Sequence, residues 1–63
     1  MTDDELIELV VNDVAANEPT TIPAASRRLD LDEWVVRAAF LDAEEIGCLT
    51  RTGKTKGTLW WLG

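Results

Sequence analysis

Few side chains in this sequence could do covalent chemistry. Its 63 residues include no His and no Tyr, and the single cysteine is Cys48. One thiol cannot close an internal disulfide, and without His it cannot anchor a zinc site. A redox role would need an exposed thiol of lowered pKa, whereas Cys48 opens an apolar run and reads as a small buried hydrophobe. The acidic pair Glu44-Glu45 falls in a helical stretch, where adjacent carboxylates are surface charges and not a general acid–base couple. Gly53-Lys54-Thr55 lacks the upstream glycine of a phosphate-binding loop and lies between two strands, not between strand and helix. No catalytic residue, metal ligand or cofactor site is therefore expected, and the chain is read as a binding protein, not an enzyme.

What remains is ionic and apolar contact. The chain carries 12 acids and 6 bases, a net charge of −6, which by itself argues against nucleic acid. The distribution is uneven. Residues 1–25 hold six acids and no base, residues 26–45 six acids and three bases, and residues 46–63 three bases and no acid. A basic end on an acidic chain calls for a partner that explains it.

The elements that must position these groups follow from capping signals and periodicity. A chain of this length is one domain, residues 1–63, hiding only about 60% of its unfolded surface. No window approaches the ~20 apolar residues of a membrane span. The acidic start, Thr2-Asp3-Asp4-Glu5, is unlike a signal peptide, and the lone cysteine suits a reducing cytoplasm. The same four residues form a capping box. Leu6, Ile7, Val10, Val11 and Val14 then repeat at helical spacing until Asn17-Glu18-Pro19 stops the helix. Thr20-Thr21-Ile22 leaves room for only a scrap of strand. Thr21 caps a second helix with Pro23 in its first turn, running to about Leu29. Asp30 suits a left-handed turn, and Asp32 caps a third helix through about Glu45. Gly47 ends it. Two β-prone runs, Cys48–Thr52 and Thr58–Leu62, flank Gly53-Lys54-Thr55-Lys56-Gly57 and make a hairpin. The expected class is α+β: three helices and a C-terminal hairpin.

The segment from Thr21 to Leu49 resembles the winged helix-turn-helix superfamily of DNA-binding proteins. The likeness is carried by the Thr21 cap, a small residue inside the second helix, Leu29 before the turn, Leu31 after it, and the Asp32 cap. Apolar Val36, Phe40 and Ala43, then Glu44-Glu45-Ile46-Gly47, lead into the first wing strand. The register runs without a gap, and the hairpin accounts for the rest. Three positions depart from the family pattern: Asp30 replaces the usual turn glycine, Ala25 stands where leucine is common, and Ala43 is small for its slot.

The resemblance implies that the second helix crosses the DNA backbone, the third enters the major groove, and the wing lies along phosphates. All six bases fall in those parts. Thr21, Arg27, Arg28, Arg51, Lys54, Thr55 and Lys56 would hold phosphates, with hydroxyls at Thr50, Thr52 and Thr58 in support. Glu33, Trp34, Arg37, Ala38 and Leu41 would face the groove, Arg37 being suited to guanine and Glu33 to cytosine. Since screening confines attraction to about 8 Å at physiological salt, a basic face can act on an acidic chain. The expected partner is double-stranded DNA, bound by a small transcription regulator or a phage- or virus-type factor, with a homodimer needed for specificity.

A rival reading starts from the apolar stripe Trp34, Ala38 and Leu41, at i, i+4 and i+7, which suits a protein partner better than a base edge. Under that reading the domain is a protein-interaction or dimerisation module, with Trp34, Leu41 and Trp61 as anchors. Rotation of the third helix leaves open whether Trp34 is exposed or buried under the wing. In the family register Trp60 and Leu62 face the core and Trp61 faces out beside Leu59. Twelve acids against two lysines also resemble the composition of proteins from salt-loving archaea and their viruses, or from high-GC bacteria and phages. In molar salt the screening length falls to ~3 Å and recognition must lean on apolar and hydrogen-bonded contacts.

Overall fold

Each helix begins where a hydroxyl or a turn satisfies its free backbone ends. The computed structural model describes residues 2–53 and 57–63, so the expected roles of Lys54, Thr55 and Lys56 lie outside the described residues. Helix α1 spans Asp3–Asn17. Thr2 Oγ1 accepts from the Glu5 N–H at 3.3 Å, while its hydroxyl donates to the Glu5 carboxylate at 3.1 Å. Asp3, Asp4 and Glu5 add favourable charge at the positive end of the helix dipole. The chain then reverses through Glu18–Pro19, whose peptide is cis.

Helix α2 spans Ile22–Leu29, with Thr21 Oγ1 accepting from the Ala24 N–H at 3.3 Å and Pro23 in the first turn. The turn that follows is built on buried Ser26. Its carbonyl accepts from the N–H groups of Asp30 and Leu31, and its hydroxyl donates to the Leu31 carbonyl. Asp30 takes up the left-handed conformation expected of it, φ 55°. Helix α3 spans Glu33–Glu45. Asp32 stands at its N-cap, but the carboxylate makes no capping bond. Its carbonyl instead accepts from the Val35 and Val36 N–H groups, both at 3.1 Å.

Helix α3 ends in a left-handed Gly47, φ 88°. The Cys48 N–H reaches back to the Ala43 carbonyl at 2.8 Å and the Gly47 N–H to that of Glu44 at 3.1 Å. This is the paired bonding of a Schellman motif, which answers the orphan carbonyls of the last turn. Strands β1 (Leu49–Thr52) and β2 (Leu59–Leu62) pair antiparallel, Leu49 opposite Leu62 and Arg51 opposite Trp60. Thr20 adds one bridge on the far side of β2, exchanging two backbone hydrogen bonds with Trp60 at 2.8 and 3.1 Å. The result is three helices with a C-terminal hairpin packed on them, a winged-helix-like topology.

The core is small and made mostly of small residues. Val10 and Val14 of α1, Ala25 of α2, Val36, Ala39, Phe40 and Ala43 of α3, Leu49 and Trp60 are buried. Phe40 meets Trp60 edge to face, with ring centroids 5.0 Å apart and planes at 82°. Leu6, Ile7, Val11, Ile22, Leu29 and Leu31 close its margin. Two expectations need correction. Cys48 is exposed, because the helix-ending motif consumes it and the buried slot falls one residue later, on Leu49. Leu62 shares the inner face with Trp60, yet it is 40% exposed, since it lies at the strand's end beyond the cover of the helices.

Removing the buried Phe40 ring, the partner of Trp60, should be decisive in so small a core. Phe→Ala truncations cost roughly 3–5 kcal/mol, about all that such a domain has. Phe40→Ala is expected to abolish the cooperative urea transition monitored by circular dichroism; a retained sigmoidal transition would contradict this account of the core. At Asp30, substitution by Gly should raise stability by about 0.5 kcal/mol and by Val lower it by about 1 kcal/mol, read from the same melts.

Candidate nucleic-acid interface

The N-terminal end of α2, one side of α3 and the hairpin enclose a groove of about 500 Å³. Thr21, Ile22 and Pro23 form one wall, Arg37 and Leu41 a second, and Arg51, Thr58 and Trp60 the third. Helical spacing brings Arg37 and Leu41, four residues apart, onto one side of α3. The strand register brings Arg51 to the same place, because it faces Trp60 across the ladder. The positive end of the α2 dipole adds to the two guanidinium groups. Ile22, Pro23, Leu41 and Trp60 make the rest of the lining largely apolar.

The two arginines differ in their partners. Arg51 Nε donates to Glu44 Oε2 at 3.1 Å, and its guanidinium lies over the Trp60 ring, 5.7 Å from the centroid. That ion pair is solvent-exposed, with side chains 49% and 31% accessible. Arg37 is exposed and makes no ion pair among the described residues. The same is true of Arg27 on the last turn of α2.

Arg28, expected among the phosphate contacts, is engaged within the fold. Its Nε and Nη2 meet Asp13 Oδ1 and Oδ2 at 3.0 and 2.6 Å, and Nη2 also donates to Thr20 Oγ1 at 2.7 Å. One side chain thus ties α2 to α1 and to the bridge residue beside β2. The hydrogen bond to Asp13 raises the Arg28 pKa above its ordinary value. Partial burial opposes the shift, and Coulomb attraction to the same carboxylate adds to it.

Glu33, Trp34, Arg37, Ala38 and Leu41 are all exposed on α3. Trp34 is 73% exposed, so it is not packed beneath the hairpin, and Leu41 is 42% exposed. The apolar stripe nonetheless divides. Leu41 belongs to the groove just described, whereas Trp34 and Ala38 border a second hollow, against α1. Thr21 lies in the groove with its hydroxyl already engaged as a cap. Trp61 is half-buried, and its Nε1 donates to Thr52 Oγ1 at 3.3 Å.

Comparison with family models, curated proteins and solved structures finds no match for this chain. The winged-helix-like arrangement rests on its own three helices and hairpin. No helix among the described residues is long and apolar enough to cross a membrane.

Sequence reasoning missed Pro23 and Trp60 as groove walls and Glu44 as the partner of Arg51. Glu44 and Arg51 lie on opposite sides of the Gly47 turn, and only the closing of that turn brings them together. For the other pair, a double-mutant cycle of Arg28→Gln with Asp13→Asn should give a coupling of about 1 kcal/mol, because the contact is bidentate and Asp13 is largely covered. Additive effects in urea melts would show that the staple contributes nothing.

Proposed function

We propose that this chain binds double-stranded DNA, with α3 in the major groove and the α2 start and hairpin against the sugar–phosphate backbone. The observation that carries this reading is the convergence of Arg37, Arg51 and the positive end of α2 on one groove. A phosphate there would meet the Arg51 guanidinium and the positive end of α2, with Arg37 on the same groove, a combination suited to a polyanion. The Glu44–Arg51 pair does not stand in the way. An exposed pair of this kind is worth about 0–1 kcal/mol, so a phosphate can displace the carboxylate. The acids Asp3, Asp4, Glu5 and Glu8 of α1 belong to none of the elements that enclose this groove. In this reading Arg37, on the helix that enters the groove, reads a base edge, preferably guanine. A monomer of this size offers a small footprint, and specificity would come from two copies on two half-sites. The role is that of a small regulator or architectural factor, of the kind made by cells, phages or viruses.

A second reading, a protein-interaction module, is favoured by one observation, the 73% exposure of Trp34. The two readings part in an amide-resolved NMR titration with a duplex of about 15 base pairs at low and high salt. DNA binding should shift residues 21–24, 37–41 and 50–58, and the shifts should fade as salt rises. Arg37→Glu should weaken binding roughly tenfold or more, and Lys54→Glu with Lys56→Glu should abolish it. Glu44→Gln should tighten it by roughly threefold, because Arg51 is then free of competition. The absence of shifts at low salt would remove the DNA reading.

A further inference from the structure

The side of α3 turned away from the basic groove has its own architecture. Trp34 stands at the lip of a hollow of about 240 Å³ between α1 and α3, walled by Leu6, Val35 and Ala38 and edged by Asp3 and Asp42. We propose that this hollow is the docking site for a basic amphipathic helix of a partner protein, which rests on and deepens the protein-interaction reading above. An indole left 73% in water forfeits most of the burial energy of the largest apolar side chain. Beside an apolar hollow it makes the anchor typical of a helix-in-groove contact.

Charge selects the occupant. Asp3 and Asp42 border the hollow, residues 1–25 carry no base, and the nearby Arg37 lines the opposite groove. Nucleic acid is repelled by such a rim. A second copy in a symmetric contact would set Asp3 and Asp42 against their own counterparts, an unfavourable arrangement. A helix with an apolar stripe flanked by Lys or Arg satisfies both requirements. Its apolar side chains fill the hollow against Trp34, and its cations meet the two carboxylates.

The test uses the whole chain and two synthetic helical peptides of about 18 residues, one of Leu and Lys and one of Leu and Glu in the same pattern. The Leu–Lys peptide should shift the Trp34 indole signal and the amides of Leu6, Ala38 and Asp42, and the Leu–Glu peptide should not bind. Trp34→Ala should weaken binding roughly tenfold, and Asp42→Asn about threefold. Both positions are exposed, so the variants should keep the wild-type amide spectrum elsewhere. The proposal is overturned by lack of binding, by binding that Trp34→Ala leaves unchanged, or by shifts centred on Glu5 and Glu8. Concentration-dependent self-association that is lost in Trp34→Ala would likewise overturn it, in favour of a second copy as the occupant.

Discussion

Trp60 holds the hairpin to the helices in two ways, and the geometry of the basic groove depends on both. Its ring packs edge-on with Phe40 of α3, and its backbone exchanges two hydrogen bonds with Thr20, just ahead of α2. A two-stranded hairpin is marginal in water by itself. Here the buried indole supplies the apolar area that the strands lack, in a core otherwise composed largely of Val and Ala. Because Arg51 lies opposite Trp60 in the ladder and over its ring, the same residue fixes where that guanidinium stands. Arg28 reinforces the arrangement from outside by joining Asp13 to Thr20.

The order of elements and most of their ends are legible in the residues, because local chemistry decides them. The Thr2 and Thr21 caps, left-handed Asp30 and Gly47 need no information from distant parts of the chain. Legibility fails where backbone bonding overrides side-chain type. Cys48 looks like the first buried strand residue, but its N–H is required to close α3, and Leu49 inherits the slot. Asp32 looks like a side-chain cap, yet only its carbonyl takes part.

The candidate site is less legible, for a tertiary reason. Periodicity puts Glu33, Arg37, Ala38 and Leu41 on the outward face of α3, where they are exposed, but leaves the rotation of Trp34 open; only the structure shows it exposed. Periodicity cannot reveal that this face is shared between two hollows, since that depends on where α1 and the hairpin stand beside it. Nor can it distinguish the bases that are held within the fold, Arg28 and Arg51, from Arg37 and Arg27, which make no ion pair among the described residues. Sorting by tertiary placement puts Arg37 and Arg51 on one flank of α3, with Glu44 beside Arg51, and Asp3 and Asp42 on the other.

The single bridge at Thr20 has a consequence for colloidal behaviour. A hairpin has two open edges, each a template for pairing with another chain. At Trp60, the most apolar part of the sheet, one edge is taken by β1 and the other by Thr20. Intermolecular strand addition is blocked at that position, and the edge open along its whole described length is that of β1. Its sequence, Leu49-Thr50-Arg51-Thr52, is polar after the first residue and carries a charge. One residue of irregular chain thus protects a tryptophan-rich strand from fibril-like growth, a task that larger sheets assign to a whole extra strand.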